Sequence, residues 1–596
     1  MPTATTMSKR LLTCALFAAC LAVPAGATDP APRLSVLLAP ISAEGRAEAI
    51  GSVDVTLRFD DLQAPEGAAL LRLPLVVSNV DTVATIITEL DARDAKGALR
   101  LRWRDVDRPE TGLRDAVTGG PSREWIADRP VLGPVTIRYN VPAAAQLPPR
   151  GAAPPFSSSD DGGGFSAAGL IFLLLPPNDV RYRATFDWDL TRAPAASRGI
   201  SSLGEGRRTA DEPFSIDELG TSFFMAGPIG TWPASVPDSG FFGAWQGSPC
   251  FDAGELLAWT GGLYDHYVRF FGQRQSPSYA VFLRHNKINA GGGVGLHRSF
   301  VTTFGKDSCE NISAIRITLA HEMFHTFQPF ITEPGGLESS WFGEGLATFY
   351  QTHLPFRFGM LSSDNYIADI NSTAARYYTS VMARVPNSEV PKRFWADTRV
   401  RTLPYDRGML YFASVDDALR KSSGGKTSLD TLVMALLERG QDGSATRNAD
   451  WEAVLDQYLG PKAVQDFRAF IGGEMPLPAT DAFGPCFQRV TKRLRRYELG
   501  FEPAVLAEPR RVVRGLIARS AAAKAGLRNG DEIVDPVPQD AIQGEQTRLL
   551  TLRIKRGDAA FSVTYLPRGE TVDAWQWETI AGTEGHNCTS RAQAGG

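Results

Sequence analysis

His321-Glu322-Met323-Phe324-His325 combines residue types and a spacing that can do metal chemistry. Side chains four apart lie on one face of a helix, so the imidazoles of His321 and His325 can reach a single ion. Glu322, between them, can project toward an attacking water as its general base. A catalytic zinc ion takes a third protein ligand and keeps a fourth position open. Glu344, in Trp341-Phe342-Gly343-Glu344-Gly345-Leu346-Ala347, follows His325 after eighteen intervening residues. A second helix packed antiparallel on the first would return its carboxylate to the metal. The sequence therefore predicts one Zn2+ per chain, held by His321, His325 and Glu344 and served by Glu322. The plainer reading, two structural histidines on an amphipathic helix, is weakened by the presence of Glu344.

With these residues in place, the chain resembles the gluzincin clan of zinc peptidases, and within it the glycyl aminopeptidase family. The eighteen-residue spacer and the Trp-Phe-x-Glu-Gly context match the aminopeptidase branch of the clan. Pro404-Tyr405-Asp406-Arg407-Gly408 resembles the segment carrying the clan's catalytic tyrosine, which implies that Tyr405 donates to the oxyanion of the tetrahedral intermediate. A core tyrosine is the alternative. The stretch from Leu419 to Asp430 is also similar to that family. The resemblance implies a thermolysin-like, mainly helical catalytic domain and an aminopeptidase acting on short peptides. One departure bears on specificity. The family carries a Gly-Leu-Glu-His-like segment whose carboxylate receives the substrate's free amine, and here Gly293-Val294-Gly295-Leu296-His297-Arg298-Ser299 places Leu296 at that position. Gly293 and Gly295 can still offer backbone contacts to an extended peptide, while His297 is either a substrate-side group or a structural histidine. Without the anion the reason to prefer an ammonium weakens, and an endopeptidase of altered specificity stays open.

Leu499-Gly500-Phe501 resembles the carboxylate-binding loop of a PDZ domain, and Ser520 to Leu527 with Gly530-Asp531-Glu532-Ile533 resemble its helix and turn. The resemblance implies a PDZ-like domain that either captures C-terminal peptide tails or packs as a scaffold. A third function follows from it: a peptide-binding protein whose peptidase core is vestigial.

The elements that must position these residues fall into three blocks. Period-two alternation recurs between residues 34 and 195, as in Val53 to Phe59, Leu99 to Trp103, Val135 to Val141 and Val180 to Leu190. Half-buried antiparallel strands in a β-sandwich are the natural reading. The Pro-, Ser-, Asp- and Gly-rich stretch 148–164 interrupts them as a flexible surface loop, and the apolar run Gly169 to Leu175 has the length of a strand. Helical periods begin near residue 250, with helices expected around Leu256 to Phe271, Ile315 to Phe327, from Glu344, and Tyr405 to Lys421. Mixed patterns return after 486. The expected architecture is multidomain α+β: a signal peptide over 1–27, a β-rich domain over 28–225, a catalytic domain over 226–485 and a PDZ-like domain with its tail over 486–596.

Lys9 and Arg10, the apolar run Leu11 to Val23 and Ala25-Gly26-Ala27 read as an export signal, with the mature chain starting at Thr28. That run is shorter than the ~20 residues a spanning helix needs. Lipid attachment at Cys20, after Phe17-Ala18-Ala19, is the alternative, so the expected location is periplasmic, secreted or lipid-anchored. The mature chain keeps Cys250, Cys309, Cys486 and Cys588. An even count in an exported protein suggests disulfides, and of the three possible pairings Cys250–Cys309 with Cys486–Cys588 keeps each bond within one expected domain. No Cys-x-x-Cys occurs. A net charge of −4 without a long basic run makes nucleic acid and anionic membrane poor partners.

Overall fold

The structure, a computed structural model, describes residues 31–107, 120–144, 153–274, 276–286, 292–309, 311–440, 445–535, 537, 540–583 and 588. The expected signal peptide, Cys20, and residues 148–152 of the expected flexible loop lie outside them.

Alternation at the N-terminus does produce strands. Arg33–Ala43 pairs antiparallel with Arg46–Ala64, and Leu34, Val36, Leu38, Val53, Val55, Leu57 and Phe59 all point into one core. They belong to a seven-stranded sheet, faced by smaller sheets that include Ala69–Pro74, Ser122–Ala127 and Phe223–Gly227. Three expectations need correction. Arg183–Trp188 buries Ala184 and Phe186 as the alternation requires, yet it pairs parallel to Arg33–Ala43, because the chain returns to the sheet by a long crossover and enters between that strand and the short edge strand Arg208–Thr209. The run at Gly169 to Leu175 begins as a helical turn, Gly169–Phe172, buried on every side; an apolar run carries no period to separate helix from strand. Residues 153–164 are packed rather than a loose surface loop. Phe156 is fully buried, and a Cβ on Gly162 would lie 2.5 Å from the Gly247 amide nitrogen.

A five-stranded mixed sheet follows, in the order Gly230–Trp232, Phe241–Trp245, Tyr279–His285, Ser299–Phe304 and Gly293–Leu296, leaving Gly293–Leu296 at an edge. The helices then carry the second large core. Ala253–Phe270 is capped by Asp252, whose side chain accepts from the Glu255 amide, and it runs out toward Gly272 at φ +62°. Four further helices matter for the site: the histidine helix Ile312–Phe324, the glutamate helix Ser340–Arg357, the asparagine helix Ser363–Thr379 and the tyrosine helix Leu403–Ser423.

Beyond them the long ribbon Phe487–Tyr497 and Arg568–Thr579 packs into this same core through Phe487, Ala574 and Trp577. Between its two strands sits a small four-stranded unit with its own core of Leu499, Phe501, Val505, Leu552 and Ile554. Cys250 is bonded to Cys309 and Cys486 to Cys588, with Cα atoms 5.5 and 5.1 Å apart. Among the described residues no helix is long and apolar enough to cross a membrane.

Candidate metal centre

The site forms where two helices cross with almost nothing between them. A Cβ on Gly345 would lie 2.5 Å from the Gly408 Cα, and one on Gly408 would lie 2.5 Å from the Trp341 carbonyl oxygen. Only glycine permits that approach. It brings Glu344, next to one glycine, toward Tyr405, one turn before the other. The histidine helix packs on the glutamate helix from the other side.

His321, His325 and Glu344 converge there. His321 Nε2 lies 3.2 Å from Glu344 Oε2, His325 Nε2 lies 3.3 Å from the same oxygen, and the two Nε2 atoms are 3.2 Å apart. Donors bound about 2.0–2.1 Å from one tetrahedral zinc ion sit about 3.3 Å from each other, so the donor set fits that ion in both chemistry and spacing. Among the described residues it is the one cluster of three His, Cys, Asp or Glu side chains able to hold a metal.

Each histidine is fixed from behind by a glutamine. Gln351 Oε1 lies 2.9 Å from His321 Nδ1, and Gln351 Nε2 donates to Asp369 Oδ2 at 2.9 Å. With its amide end given to Asp369, Gln351 turns its carbonyl end to His321. His321 then carries its proton on Nδ1 and leaves Nε2 free for a metal. Gln328 lies 2.6 Å from His325 Nδ1 and also donates to the Gly343 carbonyl at 3.1 Å. Phe330 stacks on the His325 ring with centroids 6.0 Å apart.

The charges oppose one another. Burial would raise the Glu344 carboxyl, but His325 and His321 hold it well below the usual carboxylate range. Burial pushes the Glu322 carboxyl up to about 7; His321 opposes this and the Glu344 charge adds to it. Tyr405 lies against His321, ring centroids 5.8 Å apart and 23° from parallel, and burial raises its phenol well above its ordinary value. A Cβ on Gly295 would come 3.6 Å from Glu322 Oε2, which sets the edge strand Gly293–Leu296 beside the general-base candidate. Gly293 lies under the Phe300 ring with no room for a side chain.

His297 is held elsewhere. Its ring sits edge-on to Phe214 at 4.5 Å and 3.9 Å from Glu218 Oε1, while burial pushes its pKa down to about 4. These neighbours make it a packed histidine of the strand turn. The residues that sequence reading missed are Gln328, Gln351 and Asp369. Gln351 stands seven residues after Glu344, on the same face of one helix, and that spacing was a usable signal.

No protein-family profile and no curated protein matches the chain. Among solved structures it is similar to an aminopeptidase N family protein from Idiomarina loihiensis, with a TM-score of 0.61 and 15% identity over 92% of this chain and 98% of that one. Looser likenesses are to an M1 zinc metallopeptidase from Deinococcus radiodurans (TM-score 0.42, 16% identity, 75% of this chain and 97% of that one). Another is to leukotriene A4 hydrolase from Saccharomyces cerevisiae (TM-score 0.45, 13% identity, 75% and 68%). The chain thus shares the multidomain α+β fold of the Idiomarina aminopeptidase N family protein over nearly its whole length.

Proposed function

We propose that the chain is an exported zinc-dependent peptidase, acting as an aminopeptidase on short peptides. The observation that carries the reading is the convergence of two imidazole nitrogens and one carboxylate oxygen within 3.2 to 3.3 Å of one another. Zinc at His321, His325 and Glu344 supplies Lewis acidity toward a carbonyl and toward water. Glu322 takes the proton of the attacking water and hands it to the leaving amine. Tyr405 donates its hydroxyl hydrogen to the oxyanion as charge develops there. Gly293–Leu296, an edge strand among the described residues, can offer an extended peptide a strand to pair with, and Gly295 leaves space beside Glu322. The test is hydrolysis of a mixed peptide library with and without chelator, by wild type and by Glu322→Gln. Zinc-dependent cleavage that disappears in the variant is expected; cleavage at the wild-type rate by Glu322→Gln would contradict the assignment of the base.

Leu296 favours a second reading of specificity, an endopeptidase. The family resemblance expects an anion here, but Leu296 ends the edge strand and packs with the apolar core of the N-terminal sheets. Free and N-acetylated versions of the same peptide separate the two readings: an aminopeptidase cleaves only the first. Export is supported by the two disulfides, which persist in oxidising compartments. A PDZ-like role for the small C-terminal unit is supported by Gly500 at φ +90° and by the cleft that Leu499, Phe501 and Ile517 line. A C-terminal peptide tail is the ligand proposed for that cleft. A pure binding protein with a vestigial core would lack stoichiometric zinc.

A further inference from the structure

The small C-terminal unit does not hang free of the catalytic helices. Its short helix Asp540–Gly544 docks on the asparagine helix and on the turn Thr398–Arg401 that leads into the tyrosine helix. Asp540 Oδ1 and Oδ2 accept from Arg401 Nη2 at 2.7 Å and Nε at 3.0 Å, a two-pronged guanidinium–carboxylate pair, and Thr398 Oγ1 donates to the same carboxylate. Gln543 Nε2 adds donations to the Thr398 carbonyl and hydroxyl at 3.3 and 3.0 Å. The contact is tight: a Cβ on Gly544 would lie 2.8 Å from Ser372 Oγ and 2.9 Å from the Ser372 carbonyl oxygen.

What this clamp grips is the start of the tyrosine helix. Arg401 ends the turn that leads through Thr402, whose backbone is itself helical, into the tyrosine helix, four residues before Tyr405. The Arg401 side chain is 12% exposed, so its packed neighbours, Asp540 among them, set its orientation. On the other side of Tyr405, Asp406 accepts from Arg376 of the asparagine helix at 2.5 to 3.1 Å. The turn bearing Tyr405 is therefore held by ion pairs before and after it, and one of the two is closed by a residue from the C-terminal unit.

We infer that Asp540 is a positioning residue for Tyr405, so that the C-terminal unit forms part of the active-site framework through Asp540 and Arg401. The inference rests on the proposed oxyanion role of Tyr405. Asp540 itself is half-exposed, and a pair of that kind adds little to global stability. Its removal can therefore loosen the tyrosine without unfolding the chain.

The test is a double-mutant cycle on the full chain with its zinc: wild type, Asp540→Asn, Tyr405→Phe and the double variant, assayed on one peptide substrate. Asp540→Asn is expected to lower kcat about 10-fold at nearly constant KM, with zinc content and melting temperature as in wild type. In the Tyr405→Phe background the same change is expected to do nothing more. Gly544→Leu, which pries the short helix off Ser372 without altering charge, is expected to give the same kcat loss. Arg401→Gln cuts the link from its other end and carries the test if Asp540→Asn does not fold. An unchanged kcat in Asp540→Asn, or an equal loss with and without the Tyr405 hydroxyl, overturns the inference. A Tyr405→Phe variant with wild-type kcat overturns the oxyanion role instead, a separate result read from the single variant.

Discussion

Glu322 is pulled two ways, and its behaviour reports on the whole site. In the metal-free protein burial holds its carboxyl near 7, well above an ordinary glutamate. A group whose pKa is raised on folding contributes stability that is full below its unfolded value and is lost as pH rises through the folded one. Metal-free wild type is therefore expected to lose melting temperature relative to metal-free Glu322→Gln as pH rises from 4.5 to about 7. A difference that stays flat over that window contradicts the burial of this carboxyl. With zinc present, Glu322→Gln should keep its metal, because Glu322 is not among the three converging ligands, while turnover falls by at least about 10²-fold. Behind the ligands, Gln351→Ala removes the acceptor that fixes the His321 tautomer. Chelator competition should show zinc affinity weakened about 10- to 100-fold, with Glu322 untouched. Most of this scale was legible in sequence, because ligand spacing on a helix is a local property. His297 was not: its distance along the chain from the metal-binding residues says nothing about Phe214, the side chain that captures it.

At the scale of elements, the decisive feature is the glycine contact between the glutamate and tyrosine helices. Gly408→Ala must push the Trp341 carbonyl or the Gly345 backbone away, since its Cβ would sit 2.5 to 2.6 Å from them. Overpacking of this kind costs about 1–3 kcal/mol, and here it also separates Glu344 from Tyr405. The variant should unfold at lower denaturant and lose kcat more than its stability loss explains; wild-type turnover in a destabilised Gly408→Ala would show that the spacing does not matter. The helices themselves were readable from their periods but not to their ends: the histidine helix stops at Phe324 rather than Phe327, the glutamate helix begins at Ser340 rather than at Glu344, and the tyrosine helix runs past Lys421 to Ser423 before Gly424 at φ +62°. Strand partners were not readable. Alternation put Ala184 and Phe186 on a buried face but could not say that their strand runs parallel to Arg33–Ala43, which depends on a connection made elsewhere in the chain.

Across the whole molecule, the sequence pattern after residue 486 suggests a separate domain, whereas the ribbon Phe487–Tyr497 and Arg568–Thr579 completes the catalytic core. Phe487 and Trp577 are fully buried, and Asn371 of the asparagine helix exchanges two 2.7 Å hydrogen bonds with the Trp577 backbone. Trp577→Ala should cost about 3–5 kcal/mol, measured by chemical denaturation of the catalytic core, not of a tail. A loss below about 1 kcal/mol would mean the ribbon is peripheral. The Cys486–Cys588 bond closes the chain behind this ribbon, so its reduction should lower the melting temperature of the same transition. The central claim is that the three converging side chains form a zinc centre, and metal content tests it most directly. Elemental analysis of the purified full chain, stripped and reloaded, should find one zinc per chain in wild type and in Glu322→Gln and almost none in Glu344→Ala. A wild-type protein that binds no zinc, or a Glu344→Ala variant that binds it as well as wild type, would contradict the account.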